Sequence, residues 1–313
     1  MFAGKRVAVV VPAYGEERLV VETLRGIPDF VDRVYVVDDA STDGTAEKAG
    51  GLGDARVEVI RHERNQGVGA AIVTGYRRAL EEGIDVTCVM AADNQMDSSE
   101  LQSLVEPVAQ GEVEYAKANR LFSGEAWTVI PRTRFFGNAV LSLLTKIASG
   151  YWHVADSQAG YTAISLDALR RLDLGRLYPR YGFPNDVLVH LNVQNARVRD
   201  VPSRPIYDVG ERSGIRLRSV VPRISWLLFK GFWWRMAQKY VIRDFHPLVF
   251  FYVFGVLMTA VGLLLGVLDV FLRILGNQIT PATIVLVALL LIAGLQLTLF
   301  AMWFDMEANK DLR

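Results

Sequence analysis

The chain has 313 residues, 51% of them hydrophobic, and its 34 basic and 34 acidic side chains cancel to a net charge of zero. No nucleic-acid partner is expected of a chain whose charges cancel, and its single cysteine, Cys88, excludes a disulfide framework within the chain. The apolar excess lies in the last quarter of the sequence, so the preceding part reads as a soluble domain.

Met1 to Lys5 leads straight into a strand-like run, and no cleavable targeting segment is expected. Short β-branched runs recur at Arg6 to Val11, Arg33 to Val37, Val57 to Ile60 and Val86 to Met90, separated by capped or amphipathic helical segments. Such alternation predicts an α/β domain with a mostly parallel sheet. Ser41, Thr42 and Asp43 stand where they can cap a helix, and Ser98 and Ser99 precede Leu101, Leu104 and Val105 at helical spacing. Ligands of such sheets bind beyond the carboxyl ends of the strands, here at Pro12 to Glu17, Asp38 to Asp43 and Asp93 to Asp97. No internal repeat, low-complexity tract or Pro/Gly/Ser linker divides residues 1–210, which read as one domain.

Asp38 and Asp39 end an apolar strand, and adjacent carboxylates repel unless a ligand, a cation or a helix N-terminus compensates them. Gly67 and Gly69 precede a helical run, but Ile72 stands where a dinucleotide fingerprint needs its third glycine, and a plain structural turn also explains the pair. Asp93 with Gln95 can serve a magnesium ion, which needs one or two carboxylates when substrate phosphate and water complete its octahedron. Asp97 reads as the N-cap of a helix beginning near Ser99.

Three segments follow one another: Val10-Val11-Pro12-Ala13-Tyr14-Gly15-Glu16-Glu17, Val36-Val37-Asp38-Asp39-Ala40-Ser41-Thr42-Asp43-Gly44-Thr45 and Arg64-Asn65-Gln66-Gly67-Val68-Gly69-Ala70-Ala71. In this order the chain resembles family 2 glycosyltransferases of the GT-A fold, specifically the dolichyl-phosphate or polyprenyl-phosphate sugar synthases, through residues 1–215. The resemblance implies that Pro12, Ala13, Tyr14, Glu16, Asp38, Asp39, Asn65, Gly67, Ala92, Asp93, Arg120 and Gln158 hold a nucleotide sugar, a UDP- or GDP-hexose, with Asp38 and Asp39 at its base and ribose. Met90-Ala91-Ala92-Asp93-Asn94-Gln95 occupies the place of the family's Asp-x-Asp-x-Gln, with Ala91 in place of the first acid. Mg²⁺ or Mn²⁺ therefore falls to Asp93 and Gln95, and affinity for free metal is expected to be poor.

Further along, the resemblance gives the acceptor phosphate to Arg132 and Arg134, which open the helical segment Phe135 to Ser149, and to Arg212, Ser213 and Arg216 in Gly210-Glu211-Arg212-Ser213-Gly214-Ile215-Arg216. Guanidinium groups suit that task, because their fork binds phosphate oxygens in pairs. Asp156-Ser157-Gln158-Ala159-Gly160-Tyr161 is similar to the family's Asp-x-Gln-x-Gly-Phe and is implied to shape the sugar pocket. Phe183-Pro184-Asn185-Asp186 stands where inverting enzymes of the fold place a catalytic acid, although Asp186 also suits the first turn of a helix. The implied catalytic set is Asp93, Asp156, Asp186 and Arg134.

The segment from residue 211 to 243 carries eight basic side chains against one acid, interleaved with Trp226, Phe229, Phe232, Trp233 and Trp234. This is the composition of helices lying in a headgroup layer on the cytosolic flank of a membrane. Leu248 to Leu268 and Ile279 to Phe304 then lack any charge, and at about 1.5 Å per residue each can cross a hydrocarbon core about 30 Å thick. The expected organisation is a GT-A domain at 1–215, amphipathic helices at 216–246, two transmembrane helices at 247–304 and a short cytosolic tail at 305–313. Gly255, Gly262 and Gly266 permit close helix contacts, which leaves a homo-oligomer open.

These readings predict an integral, multi-pass membrane enzyme whose catalytic domain lies on the cytosolic face and moves a hexose to polyprenyl phosphate with inversion. The rivals are a transferase acting on another lipid or a polysaccharide, and a non-catalytic membrane protein suggested by Ala91. A processive polysaccharide synthase is disfavoured, because neither a Gln-x-x-Arg-Trp motif nor further apolar spans occur.

Overall fold

Strand β1 (Val7–Ala13) is an apolar run with every side chain buried, which a strand reaches only when both faces of its sheet are covered. The computed structural model describes residues 1–122, 132–204, 206 and 217–313, with 132–136, 138 and 217–220 described in backbone only. It divides into two compact units, Met1–Phe232 together with Asp311–Arg313, and Trp233–Lys310.

The first unit is built on a seven-stranded sheet in the order β3-β2-β1-β4-β6-β5-β7. Its strands after β1 are β2 (Arg33–Asp38), β3 (Val57–Arg61), β4 (Val86–Val89), β5 (Tyr115–Asn119), β6 (Thr162–Ser165) and β7 (Val198–Pro202). β1 to β4 pair in parallel, as does β5 with β7, whereas β6 runs antiparallel to both β4 and β5. The β1–β2 register sets Ala13 beside Asp38, and β1–β4 sets Val10 beside Val89. The segments leaving β1, β2 and β4 therefore emerge at one edge of the sheet.

Alternate residues of β1 feed different cores. Val7, Val9 and Val11 pack with Val20 and Leu24 of α1 (Val20–Gly26) and with Leu101, Leu104 and Val105 of α4 (Leu101–Ala109). Ala8 and Val10 pack instead with Ala71, Ile72 and Tyr76 of α3 (Val68–Glu81) and with Phe183, Val187 and Leu188 of a later helix, α7 (Phe183–Val193). The remaining helices of this unit are α2 (Thr45–Gly50), α5 (Arg132–Ser149) and α6 (Leu166–Arg171). Cys88 is buried and free on β4, where its burial pushes the thiol well above the ordinary range. The last residues also belong to this unit, with the Val198 N–H of β7 donating to the Leu312 carbonyl at 3.0 Å.

Helix α8 (Leu217–Ala237) includes the boundary between the units and is followed by a π-helical turn, Gln238–Arg243. Trp226 and Phe229 of α8 are both exposed and stack on each other at 5.5 Å between centroids, with the Lys230 ammonium 5.2 Å from the Trp226 ring. An exposed aromatic pair with a cation over it suits an apolar–polar boundary better than open water.

The second unit consists mainly of α9 (Leu248–Ile274) and α10 (Pro281–Ala308). Both are long and apolar enough to cross a membrane, and only 22% and 11% of their most apolar stretches is buried. They are not the core helices of a soluble domain, and their exposed apolar surface marks a membrane-associated segment. The glycines of α9 serve the hairpin itself. A Cβ on Gly255 would lie 2.5 Å from Thr298 Oγ1, and one on Gly294 would lie 2.6 Å from the Thr259 backbone nitrogen. Gly262 likewise faces Leu291.

A buried polar knot closes this unit. Arg235, fully buried, donates from both terminal nitrogens to Asp305 at 2.8 Å each, and Tyr240 Oη donates to the same carboxylate at 2.8 Å. Lys239 donates to Asn309 Oδ1 at 2.7 Å, while Asn309 Nδ2 reaches Tyr240 Oη at 2.9 Å. Fork-to-fork geometry with every neighbour hydrogen-bonded is the arrangement in which a buried ion pair is tolerated.

Candidate active site

A cleft of about 970 Å³ opens where β1, β2 and β4 end, lined by Pro12 to Leu19, Asp39, Asp43, Asn65, Gly67, Val68, Ala71, Ala91 to Asp93, Arg180 and Tyr181. Its floor is tied together by the loops themselves. The N–H groups of Gly15 and Glu16 donate to Ser41 Oγ at 3.0 Å and Thr45 Oγ1 at 2.9 Å. Thr23 Oγ1 of α1 donates to the Ala92 carbonyl at 3.1 Å, which holds the segment after β4. Asp43 accepts from the Thr45 N–H just ahead of α2, whose N-cap is Gly44, and Asp97 accepts from the Ser99 N–H at 2.9 Å as the N-cap of the turn that follows it.

Asp39 organises the third loop. Its carboxylate accepts the N–H groups of Gln66 at 2.8 Å and Gly67 at 2.7 Å, and the same Oδ1 meets His62 Nδ1 at 2.8 Å. His62 Nε2 in turn meets Thr74 Oγ1 of α3 at 2.9 Å. The loop can close this tightly because Gly67 sits at φ +102°, a backbone that side-chain-bearing residues rarely adopt. Asp38 is fully buried beside it, accepting from the Ser41 N–H at 3.2 Å and facing Arg61 Nε at 3.3 Å.

The electrostatics of the cleft are acidic. Burial, followed by the nearby charges of Asp93 and Asp43, pushes the Glu16 carboxyl up to about 7. No group of three or more His, Cys, Asp or Glu side chains forms a metal cage among the described residues. Glu16 and Asp93 both line the cleft, near enough for the charge of Asp93 to act on Glu16, and carboxylates of this kind could hold a divalent cation whose other ligands come from substrate phosphate and water. Gln95 does not line the cleft, and its N–H donates to Asp93 Oδ1 at 3.2 Å.

Of the residues implied by the sequence, Pro12, Ala13, Tyr14, Glu16, Asp39, Asn65, Gly67, Ala92 and Asp93 share this cleft, whereas Asp38, Arg120, Asp156, Gln158 and Asp186 do not line it. Arg120 forms a two-pronged pair with buried Asp156, Nε to Oδ2 at 2.7 Å and Nη2 to Oδ1 at 3.2 Å. Burial would raise the Asp156 carboxyl, but the Arg120 guanidinium holds it below the ordinary range. Behind the pair, buried Lys117 donates to the Ala159 carbonyl and is pushed down to about 8 by burial, while burial pushes Asp200 up to about 6.

Gln158 Nε2 donates to Asn185 Oδ1 at 2.7 Å, joining the Asp156–Tyr161 segment to α7. Asp186 accepts the Tyr178 N–H at 2.8 Å, and burial pushes its carboxyl up to about 6. The side chains of Arg132 and Arg134, and all of Arg212, Ser213 and Arg216, lie outside the described residues. Arg18, Leu19, Arg180 and Tyr181 are the cleft residues that sequence reasoning missed. Arg180 and Tyr181 carry no motif of their own, and the fold alone brings them to the cleft, Arg180 against Gly67.

Comparison with known proteins identifies the family and the fold. Residues 8–173 match the family model of glycosyl transferase family 2. A UDP-N-acetylglucosamine–dolichyl-phosphate N-acetylglucosaminyltransferase of Methanococcus voltae is 29% identical, the match covering 66% of this chain and 87% of that protein. An undecaprenyl-phosphate mannosyltransferase of Micrococcus luteus is 32% identical, with 63% and 82% covered. Among solved structures, glucosyl-3-phosphoglycerate synthase from Mycobacterium tuberculosis, in complex with Mn²⁺, UDP and glucosyl-3-phosphoglycerate, superposes with a TM-score of 0.56 at 20% identity, over 74% of this chain and 80% of that one. That likeness shows the fold, and the expectation of a GT-A domain is met. The chain belongs to glycosyl transferase family 2 and is a glycosyltransferase of the GT-A fold.

Proposed function

We propose that the enzyme transfers a hexose from a UDP- or GDP-sugar to a polyprenyl phosphate, with inversion at the anomeric carbon. The observation that carries this reading is the presence, in one chain, of an acidic cleft at the strand ends and two long apolar helices with exposed surfaces. The names of the archaeal and bacterial relatives, both transferases to polyprenyl-type phosphates, support the acceptor class. The basic flank of residues 211–243 favours a cytosolic cleft, with α9 and α10 crossing the bilayer in succession.

A phosphate monoester has a second pKa near about 6 and is largely dianionic at neutral pH, so the acceptor oxygen needs no general base. The chemical problem is repulsion between two phosphate-bearing substrates. Asp39 keeps the Gln66–Gly67 loop in place, Tyr14 and Asn65 line the donor side, and Arg132 and Arg134 are assigned to the acceptor phosphate. Asp93, with Glu16 or Gln95, would hold a Mg²⁺ or Mn²⁺ ion, which would supply positive charge to the departing diphosphate. Asp156 is proposed to act through Arg120, by fixing the segment that leads to Gln158.

The test is incubation of the purified protein with a panel of UDP- and GDP-sugars and a short polyprenyl phosphate, with the lipid product read by mass. Formation of one glycosyl phosphate lipid, abolished by Asp93→Asn without a change in folding, is expected. Nucleotide binding with no transfer to any lipid would favour the non-catalytic alternative.

A further inference from the structure

Arg180 is an exposed cation in an acidic cleft, yet among the described residues its guanidinium pairs with none of the acids lining that cleft. Its position is not loose. The preceding carbonyl, Pro179 O, accepts the Ala70 N–H at 3.0 Å on the first turn of α3, and a Cβ on Gly67 would lie 2.7 Å from Arg180 Cγ. The Arg180 stem thus lies against the glycine whose N–H is held by Asp39. On the other side, Tyr178 N–H is held by buried Asp186, and the Phe183 N–H donates to the Arg180 carbonyl at 2.9 Å as α7 begins.

A guanidinium whose backbone is fixed at both flanks, and which shares a cleft with acids yet pairs with none of them, is held for an anion that arrives with the substrate. We propose that Arg180 binds the diphosphate of the nucleotide-sugar donor, and that Asp186 is the positioning residue that holds the Arg180 loop. This rests on the donor class proposed above. In the reaction the bond between the anomeric carbon and the diphosphate oxygen breaks as the acceptor phosphate oxygen bonds to that carbon. The departing diphosphate keeps the electron pair, and Arg180 meets the charge that develops there.

The test uses the full-length protein in detergent with Mg²⁺ present, titrated with UDP, GDP, UMP and GMP by calorimetry. Arg180→Ala should weaken binding of the preferred nucleoside diphosphate about tenfold and that of its monophosphate less than about twofold, the scale of one charge-assisted hydrogen bond. Unchanged diphosphate affinity, or equal loss for diphosphate and monophosphate, overturns the assignment. So does a raised KM for polyprenyl phosphate with donor affinity intact, which would give the cation to the acceptor. Wild-type protein that binds neither UDP nor GDP removes the donor class itself, a failure distinct from the others. For Asp186, the Asn variant retains an oxygen for the Tyr178 N–H. It should restore the diphosphate affinity and turnover that Asp186→Ala loses, whereas loss of turnover in Asp186→Asn with intact affinity would put Asp186 in the chemistry.

Discussion

The carboxylate of Asp39 receives the Gly67 N–H at 2.7 Å and the Gln66 N–H at 2.8 Å, so one side chain at the end of β2 sets the shape of the loop that opens α3. Asparagine offers only one acceptor oxygen to these two donors. Asp39→Asn should therefore leave one N–H facing an amide NH₂, at a cost of about 1–3 kcal/mol, and weaken nucleotide binding as well. Chemical denaturation and UDP or GDP titration on the same variant check both parts. A variant of native stability and affinity would show that the loop holds its shape without this acid.

Gly69 is demanded by space. A Cβ at this position would lie 2.4 Å from the Tyr178 carbonyl oxygen and 2.8 Å from the Pro179 carbonyl carbon, both backbone atoms that cannot rotate away. Gly69→Ala should shift the 178–180 segment and destabilise the first unit by about 1–3 kcal/mol, the usual range for overpacking. Gly83→Ala is the useful contrast, since Gly83 has open space around it but φ +65°, so it tests backbone strain without steric conflict. Equal stability of Gly69→Ala and wild type would mean that the close approach is not present in solution.

Stability should depend on pH through Glu16 in an unusual direction. Its carboxyl titrates at about 7 in the folded chain against an ordinary 4.5, so the folded state retains a proton that the unfolded state has already lost. Wherever the folded state binds more protons, stability falls as pH rises, here from about 4.5 to 7. Glu16→Gln cannot titrate, so relative to that variant the wild type should lose melting temperature across this window in the absence of divalent cation and nucleotide. Parallel melting curves for the two proteins would contradict the burial of Glu16 and its crowding by Asp93 and Asp43.

Arg235 and Asp305 should behave as a unit. Asp305→Ala leaves a buried guanidinium without its carboxylate and should cost about 3–5 kcal/mol in detergent unfolding, whereas Arg235→Met combined with Asp305→Leu should recover most of that loss. If the double variant is as unstable as the single one, the knot contributes more through Tyr240 and Asn309 than through charge.

The first four strands were legible because β-branched runs at Arg6, Arg33, Val57 and Val86 are short and separated by helical patterns, and those strands begin within a residue of the expectations. The antiparallel course of β6 was not, since strand direction depends on connections rather than on local pattern. In the candidate site, Pro12 to Glu16, Asp39 and Asp93 were legible as polar and acidic loops at strand ends, and Asn65 through the resemblance to the family. Arg180 did not, because its environment comes from Gly67, more than a hundred positions earlier in the chain. Arg120 and Asp156 are each visible as charged residues, but only folding pairs Arg120 with the buried Asp156.

The bond from Val198 to the Leu312 carbonyl has a topological corollary. Since Asp311–Arg313 belongs with the first unit, any bilayer threaded by the intervening chain must be threaded an even number of times. Reporters appended before Met1 and after Arg313 would then sense the same compartment, and a protease or alkylating probe admitted from one side would reach both or neither.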